Sequence, residues 1–168
     1  MPRSWTTRVE TSADHRTVRD INLAAFGRGQ EADLVQSLRG DGAWIDGLSL
    51  LVLEGGGTPV GHALLTRCHI GSVPALCLGP CAVLPSHQGT GAGSALIRAL
   101  LEQARGRGER YVTVLGHAGY YPRFGFTRAL GHGIGVGIEV PDEALMAMSL
   151  DGSVLPTGTI SYAPPFGM

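Results

Sequence analysis

The sequence predicts a mixed α/β fold: one twisted central sheet, splayed at one strand, with helices on both faces. Three observations carry this expectation. The early strands are joined by short glycine turns, as in hairpins; the later strands alternate with helical segments; and one apolar strand breaks at Gly79-Pro80 before it ends. With 168 residues, 43% of them hydrophobic and 16% charged, residues 1–168 read as a single domain with a sizeable core.

Arg8-Val9-Glu10 reads as the end of a first strand. Thr11, Ser12 and Asp14 supply N-cap residues for a helix to Ala25, with Val18, Ile21, Ala25 and Phe26 near one face. Gly27 and Gly29 break it, and a second helix follows from Gln30 to Arg39. Leu48 to Glu54 is a continuous apolar strand, Gly55-Gly56-Gly57-Thr58 a hairpin loop, and Val60 to Ile70 the returning strand. Gly71 to Pro74 turns the chain into a strand from Leu76 to Leu84. There Pro80 cannot donate to the ladder, which implies a bulge or splay. Gly93 to Arg105 is helical, with Ile97, Leu100, Leu101 and Ala104 as its apolar stripe and glycines closing it. Tyr111 to Leu115 is the next strand, Gly119 to Phe124 a short helical turn, and Ile134 to Val140 and Thr159 to Tyr162 the last strands. Gly131, Gly133, Gly135 and Gly137 alternate with His132, Ile134, Val136 and Ile138; on a strand they would bare one face, for close packing against another element or for a ligand laid across it, and the first is favoured.

Composition removes several chemistries. A net charge of −1 leaves no basic surplus to displace counterions, so nucleic acid is not expected as a partner. All 13 basic residues are arginine, which excludes a Schiff-base lysine and the lysine of a triphosphatase loop. Cys68, Cys77 and Cys81 are odd in number and form no C-x-x-C pair; they read as reduced, buried thiols of a cytoplasmic protein. No signal-peptide core and no membrane-length apolar run is present, so a soluble intracellular protein is expected, with no membrane partner. The six histidines show no metal-ligand spacing, and no metal is expected.

The chemistry concentrates in Gln88-Gly89-Thr90-Gly91-Ala92-Gly93-Ser94, directly after the strand ending Val83-Leu84-Pro85. Glycines let backbone N–H groups come close to a ligand, and the helix behind them aims its unpaired N–H groups and positive dipole end at the same place. Such a turn binds phosphate. The dinucleotide fingerprint fails at its third glycine, where Ser94 stands.

Together with Leu78-Gly79-Pro80-Cys81-Ala82-Val83 before it and Tyr120-Tyr121-Pro122-Arg123-Phe124-Gly125-Phe126 after it, this run resembles the GNAT superfamily of acyl-CoA-dependent N-acyltransferases. The resemblance is clearest from Leu48 to Phe126, and the segment from Val140-Pro141-Asp142-Glu143 to Pro164-Pro165-Phe166 is similar to the YhbS-like branch of predicted N-acetyltransferases. It implies acetyl-CoA as cosubstrate and an amine as acceptor. The amides from Gln88 to Ser94 would cradle the pyrophosphate, and the pantetheine arm would pair with the backbone of Cys81, Ala82 and Val83. Backbone N–H groups of that strand would polarise the thioester carbonyl.

The resemblance also implies a tyrosine acid for the departing thiolate, which here is Tyr121. With a free tyrosine near pKa ~10 and a thiol near ~8.5, that transfer is uphill by about 2 kcal/mol. A lowered tyrosine pKa or partial transfer in the transition state would offset it. His117, His69, Glu54 and Glu31 are possible bases by residue type only; a water chain serves as well, and none is assigned. Relatives often carry a basic residue where Thr90 stands and an asparagine before the tyrosine turn, and both are missing. A second hypothesis is a coenzyme A-binding sensor or scaffold of the same fold with little catalysis. Dimerisation through a sheet edge would follow from the resemblance alone.

Overall fold

The computed structural model describes residues 4–167. In chain order its elements are β1 (Trp5–Val9), α1 (His15–Phe26), α2 (Gln30–Arg39), β2 (Ser49–Glu54), β3 (Thr58–Ile70), β4 (Val73–Val83), α3 (Ala92–Gly106), β5 (Tyr111–Leu115), β6 (Thr127–Arg128), β7 (Ile134–Val136), β8 (Leu145–Ser149) and β9 (Gly158–Ser161). Among the described residues the strands form one sheet in the order β1-β2-β3-β4-β5-β8-β6, with β9 joining the far end of β3 and β7 pairing with β9. The ladders are antiparallel except β4–β5 and β7–β9.

Alternation along β2 shows how both faces are covered. Leu50 and Val52 face the helix α3, where Leu96, Ile97, Leu100 and Leu101 are buried. Leu51 and Leu53 face Val18, Ile21, Val35 and Leu38 of α1 and α2. A strand buried on both sides reads as an unbroken apolar run, which is why Leu50 to Leu53 shows no polar alternation.

A buried polar chain ties α1 and α2 to the sheet. Arg39 donates to Glu10 at 3.1 Å, Ser49 Oγ donates to Glu10 at 2.8 Å, and the His62 ring meets Ser49 Oγ at 2.8 Å and Asn22 Nδ2 at 3.3 Å. Asn22 Nδ2 also donates to the Val18 carbonyl at 2.9 Å, which fixes the amide so that it presents a donor to His62 Nδ1. The ring therefore carries its proton on Nε2. Burial holds its pKa down at about 3.

Four expectations need correcting. The segment Ile134 to Val140 is a strand only over Ile134–Val136, because the chain bends at Gly137 and Ile138 and leaves the ladder with β9; before it, Gly131 lies in a 3₁₀ turn (Ala129–His132) and Gly133 has φ +73°. Close packing holds for Gly133 alone, whose added Cβ would sit 3.1 Å from Thr157; Gly131, Gly135 and Gly137 face open space. The strand β4 starts at Val73 rather than Leu76, since only two residues are needed for the turn after β3. The strand β8 was not foreseen. Its sequence Leu-Met-Ala-Met-Ser lacks β-branched residues, and its burial between β5 and β6 removes any alternation.

Candidate active site

The site is made where the sheet opens. Strands β4 and β5 pair only from Leu76–Leu78 against Val112–Val114. Beyond Leu78, β4 turns away through Gly79, whose φ of +145° suits glycine alone, and continues as Pro80–Val83 against β3. The edge of Cys81–Val83 that would face β5 is left without a strand, as the interruption at Gly79-Pro80 implied.

Behind that edge stands the glycine turn. Gly91 caps α3 at φ +95° with no side chain bonded across the cap, so the first amides of a 15-residue helix face outward. Gly89 has room for a close-approaching ligand, with nothing within 4 Å of an added Cβ, while a Cβ at Gly91 would stand 3.5 Å from the Trp5 indole nitrogen. Gln88 Nε2 donates to the Val83 carbonyl at 3.1 Å and fastens the turn to β4. Thr90 is turned inward, its hydroxyl bonded to the His87 carbonyl, and Ala92 is buried against the core.

A cavity of about 520 Å³ runs along this face. It is lined by Cys81, Val83, Gln88, Gly89, Gly91, Gly93 and Ser94, and by His87, His117, Tyr120, Tyr121 and Arg123. Seven of the expected site residues thus meet Tyr121 in one cleft. Ala82, Thr90 and Ala92 do not line it; whatever they contribute is backbone. The arginines at and after the end of α3, Arg105, Arg107 and Arg110, lie outside this cleft, whereas Arg123 lines it. Arg105 bonds Glu102 and the Leu150 carbonyl, and Arg110 bonds Asp151. Arg123 is held over the Tyr120 ring at 4.4 Å, with Nε on the Tyr120 carbonyl at 2.8 Å. Its signal was its place inside the Tyr-Tyr-Pro-Arg-Phe-Gly-Phe block.

The two tyrosines have different settings. Tyr120 Oη lies 3.0 Å from Ser94 Oγ, which ties the aromatic turn to the start of α3. Tyr121 packs edge-on against Tyr120 and Phe126, at ring distances of 5.1 and 5.9 Å. Its other side is pressed on Gly116, where an added Cβ would meet Tyr121 Cε2 at 2.3 Å. Burial, with Cys81 and Tyr120 nearby, pushes the Tyr121 phenol well above its ordinary value. The sequence reading allowed for a lowered pKa; the structure moves it the other way, because the ring sits in apolar surroundings that disfavour a phenolate. Burial likewise pushes the Cys81 thiol up to about 12, so it is an inert wall residue.

A second cavity, of about 670 Å³, lies on the other side of the splay. Phe26, Arg28 and Glu31 from the α1–α2 region, Gly79 and Pro80 of β4, Leu115 and Gly116, and Tyr162 and Phe166 of the C-terminal segment all contribute to it. Glu31 is bonded by the Arg28 guanidinium at 2.5–3.2 Å, which holds its carboxyl below the usual range. The two cavities share three lining residues: Cys81, His117 and Tyr121. No cluster of three or more metal-ligating side chains occurs among the described residues.

A profile of the Acetyltransferase (GNAT) family matches residues 16–126. The chain belongs to this family. The uncharacterized N-acetyltransferase YjhQ of Escherichia coli (strain K12) is 38% identical over 170 residues, spanning 96% of this chain and 93% of YjhQ. A GNAT family acetyltransferase from Brucella melitensis, solved in complex with acetyl-CoA, superposes with a TM-score of 0.80 at 31% identity, covering 97% of this chain and 98% of that one. The GNAT family N-acetyltransferase YhbS from Escherichia coli, solved in complex with CoA, shares the fold with a TM-score of 0.89 at 24% identity, over 100% of this chain and 94% of that one. The matched residues take in the splayed strand, the glycine turn and the tyrosine block. No helix among the described residues is long and apolar enough to cross a membrane.

Proposed function

We propose that this GNAT N-acetyltransferase moves acetyl from acetyl-CoA to a primary amine by direct attack, with Tyr121 as the acid for the departing thiolate. The observation that carries the reading is the meeting of two cavities at Cys81, His117 and Tyr121. One cavity has the amide-rich turn suited to a diphosphate, and the other is a separate chamber for an acceptor. A module that only held coenzyme A would need no second chamber opening onto the thioester.

The residues fit the cosubstrate. Outward amides from Gly89 to Ser94 and the positive end of α3 favour phosphate oxygens, each charge contact contributing about 0.3–1 kcal/mol. The uncovered edge of Cys81–Val83 offers peptide groups to the pantetheine amides, and Arg123 adds a positive charge to the same cleft. When bound, acetyl-CoA supplies an activated acyl group. Tyr121 remains protonated throughout the physiological range, as an acid must, and transfers its proton as charge builds on sulfur.

The test is release of free thiol from acetyl-CoA across a panel of primary amines. Turnover with at least one amine is expected, and Tyr121→Phe should lower kcat by about 100-fold or more, the usual contribution of a positioned acid. Tight coenzyme binding with no acetylation of any amine would favour the sensor instead.

A further inference from the structure

Two cavities that share a wall raise the question of which wall residue takes the proton that an ammonium group must lose before it can attack. We propose that His117 is that base, an inference that rests on the acetyl-transfer reading above. His117 follows β5 by two residues and lines both cavities, so its ring can reach an amine that lies in one and attacks a thioester that lies in the other. Its carbonyl accepts the N–H groups of Tyr120 and Tyr121 at 3.0 and 3.3 Å. The peptide that carries the imidazole is thus fastened to the turn that carries the phenol. Acid and base are held in one rigid segment at the junction.

The other candidates fail on geometry. Glu31 reaches only the acceptor chamber and is occupied by three bonds from Arg28. Glu54 bonds the His87 ring at 3.0 Å and lines neither cavity. His69 lies on β3 opposite Ser161 and lines neither cavity. Of the two other shared wall residues, the Cys81 thiol and the Tyr121 phenol are both held protonated by burial. The titratable or charged groups around His117 are Cys77 and Cys81 from β4, Tyr120, Tyr121 and Arg123 from the aromatic turn, His87 beyond the first cavity, and the Arg28–Glu31 pair and Tyr162 of the C-terminal segment across the second. His117 is itself exposed, so a proton it accepts passes on to water.

The proton count balances. An ammonium acceptor gives one proton to His117, which releases it to solvent. The freed amine nitrogen forms a bond to the thioester carbon, the carbon–sulfur bond breaks, and sulfur takes the Tyr121 proton. The second proton lost from nitrogen returns Tyr121 to its neutral form. The products are an amide, a thiol and one proton in solution.

The experiment uses the full chain and an amine acceptor whose solution pKa lies above about 9.5. Wild-type kcat/KM should rise with pH and level off well below the pKa of the amine, as a base inside the site requires. In His117→Gln, kcat/KM at pH 7 should fall by about 100-fold and keep climbing through pH 9, as the amine is then left to ionise unaided. Free imidazole should restore part of the rate to His117→Ala. A His117→Gln protein with the wild-type plateau, or with a raised KM and unchanged kcat, would overturn the assignment. If no amine turns over, the acetyl-transfer reading fails by itself. The base assignment is still judged by the NMR signals of the His117 ring, followed against pH without and with acetyl-CoA. A ring whose titration responds to acetyl-CoA supports it. A ring indifferent to acetyl-CoA overturns it.

Discussion

Replacing Gly116 by alanine should disable the enzyme while leaving coenzyme binding intact. The backbone at Gly116 is not in the left-handed region, so alanine brings no conformational strain of its own. The conflict is with Tyr121. The new Cβ would stand 2.3 Å from Cε2, 2.9 Å from Cδ2 and 3.3 Å from Cζ, whereas ordinary contact begins at 3.4 Å. The ring must therefore retreat by at least about 1.1 Å (3.4 less 2.3), and Tyr120 and Phe126 pack against its other sides. Overpacking of this kind costs about 1–3 kcal/mol of stability, which a folded domain can absorb. A reacting group misplaced by about 1 Å costs on the order of 100-fold in rate, or about 2.7 kcal/mol of transition-state stabilisation. Steady-state thiol release should thus show kcat lowered by about 100-fold in Gly116→Ala. Calorimetry should give a coenzyme A affinity within about threefold of wild type, because the glycine turn is untouched. A folded Gly116→Ala protein with wild-type kcat would show that the position of Tyr121 against Gly116 has no bearing on catalysis.

Other substitutions probe separate parts of the same account. Gly91→Val forces a β-branched residue to φ +95° at the start of α3 and should weaken coenzyme A binding by at least tenfold; unchanged affinity in a folded variant would refute the proposed cradle. Arg123→Gln should raise the KM for acetyl-CoA by several-fold with a smaller effect on kcat; no change would remove Arg123 from the cofactor cleft. The buried His62 ring, held near pKa 3 against an ordinary 6.5, makes the unfolded state bind the extra proton between those values. Stability should therefore be lost as pH falls below about 6.5, by about 1 kcal/mol per unit between pH 6 and 5 in urea titrations. His62→Gln should flatten that slope, and a slope that persists in the variant would place its origin elsewhere.

Much of this arrangement was legible from local chemistry. The α2 helix fell on Gln30 to Arg39 as its pattern required, and the splay followed from one proline in an apolar strand. The glycine turn was readable because few residue types tolerate its backbone. What local pattern could not supply was depth. Tyr121 was identifiable in its motif, yet its raised pKa depends first on burial that no window of sequence displays, and then on Cys81, 40 residues earlier. Nothing near His62 in the sequence marks it as a buried polar hub, because its partners Asn22 and Ser49 come from other elements. His117 stood among four possible bases until the two cavities were seen to share it.

The raised Tyr121 pKa bears on the mechanism rather than against it. An acid with an ordinary phenol pKa would begin to ionise near pH 9 and bend the rate profile downward. Burial moves that loss to more alkaline pH, so the reaction should show a single rising limb in place of a bell. The cost is a larger uphill step for proton donation in the ground state. That step shrinks if the proton moves only as the carbon–sulfur bond breaks, when sulfur is most basic and the phenol has somewhere to deliver its charge. Complete transfer before bond cleavage would be the worst use of a buried tyrosine; transfer concerted with cleavage is the use that burial permits. A solvent isotope effect on kcat tests whether Tyr121 delivers that proton. Concerted transfer from Tyr121 predicts an effect that disappears in Tyr121→Phe. An effect of the same size in both proteins would assign the proton on sulfur to water.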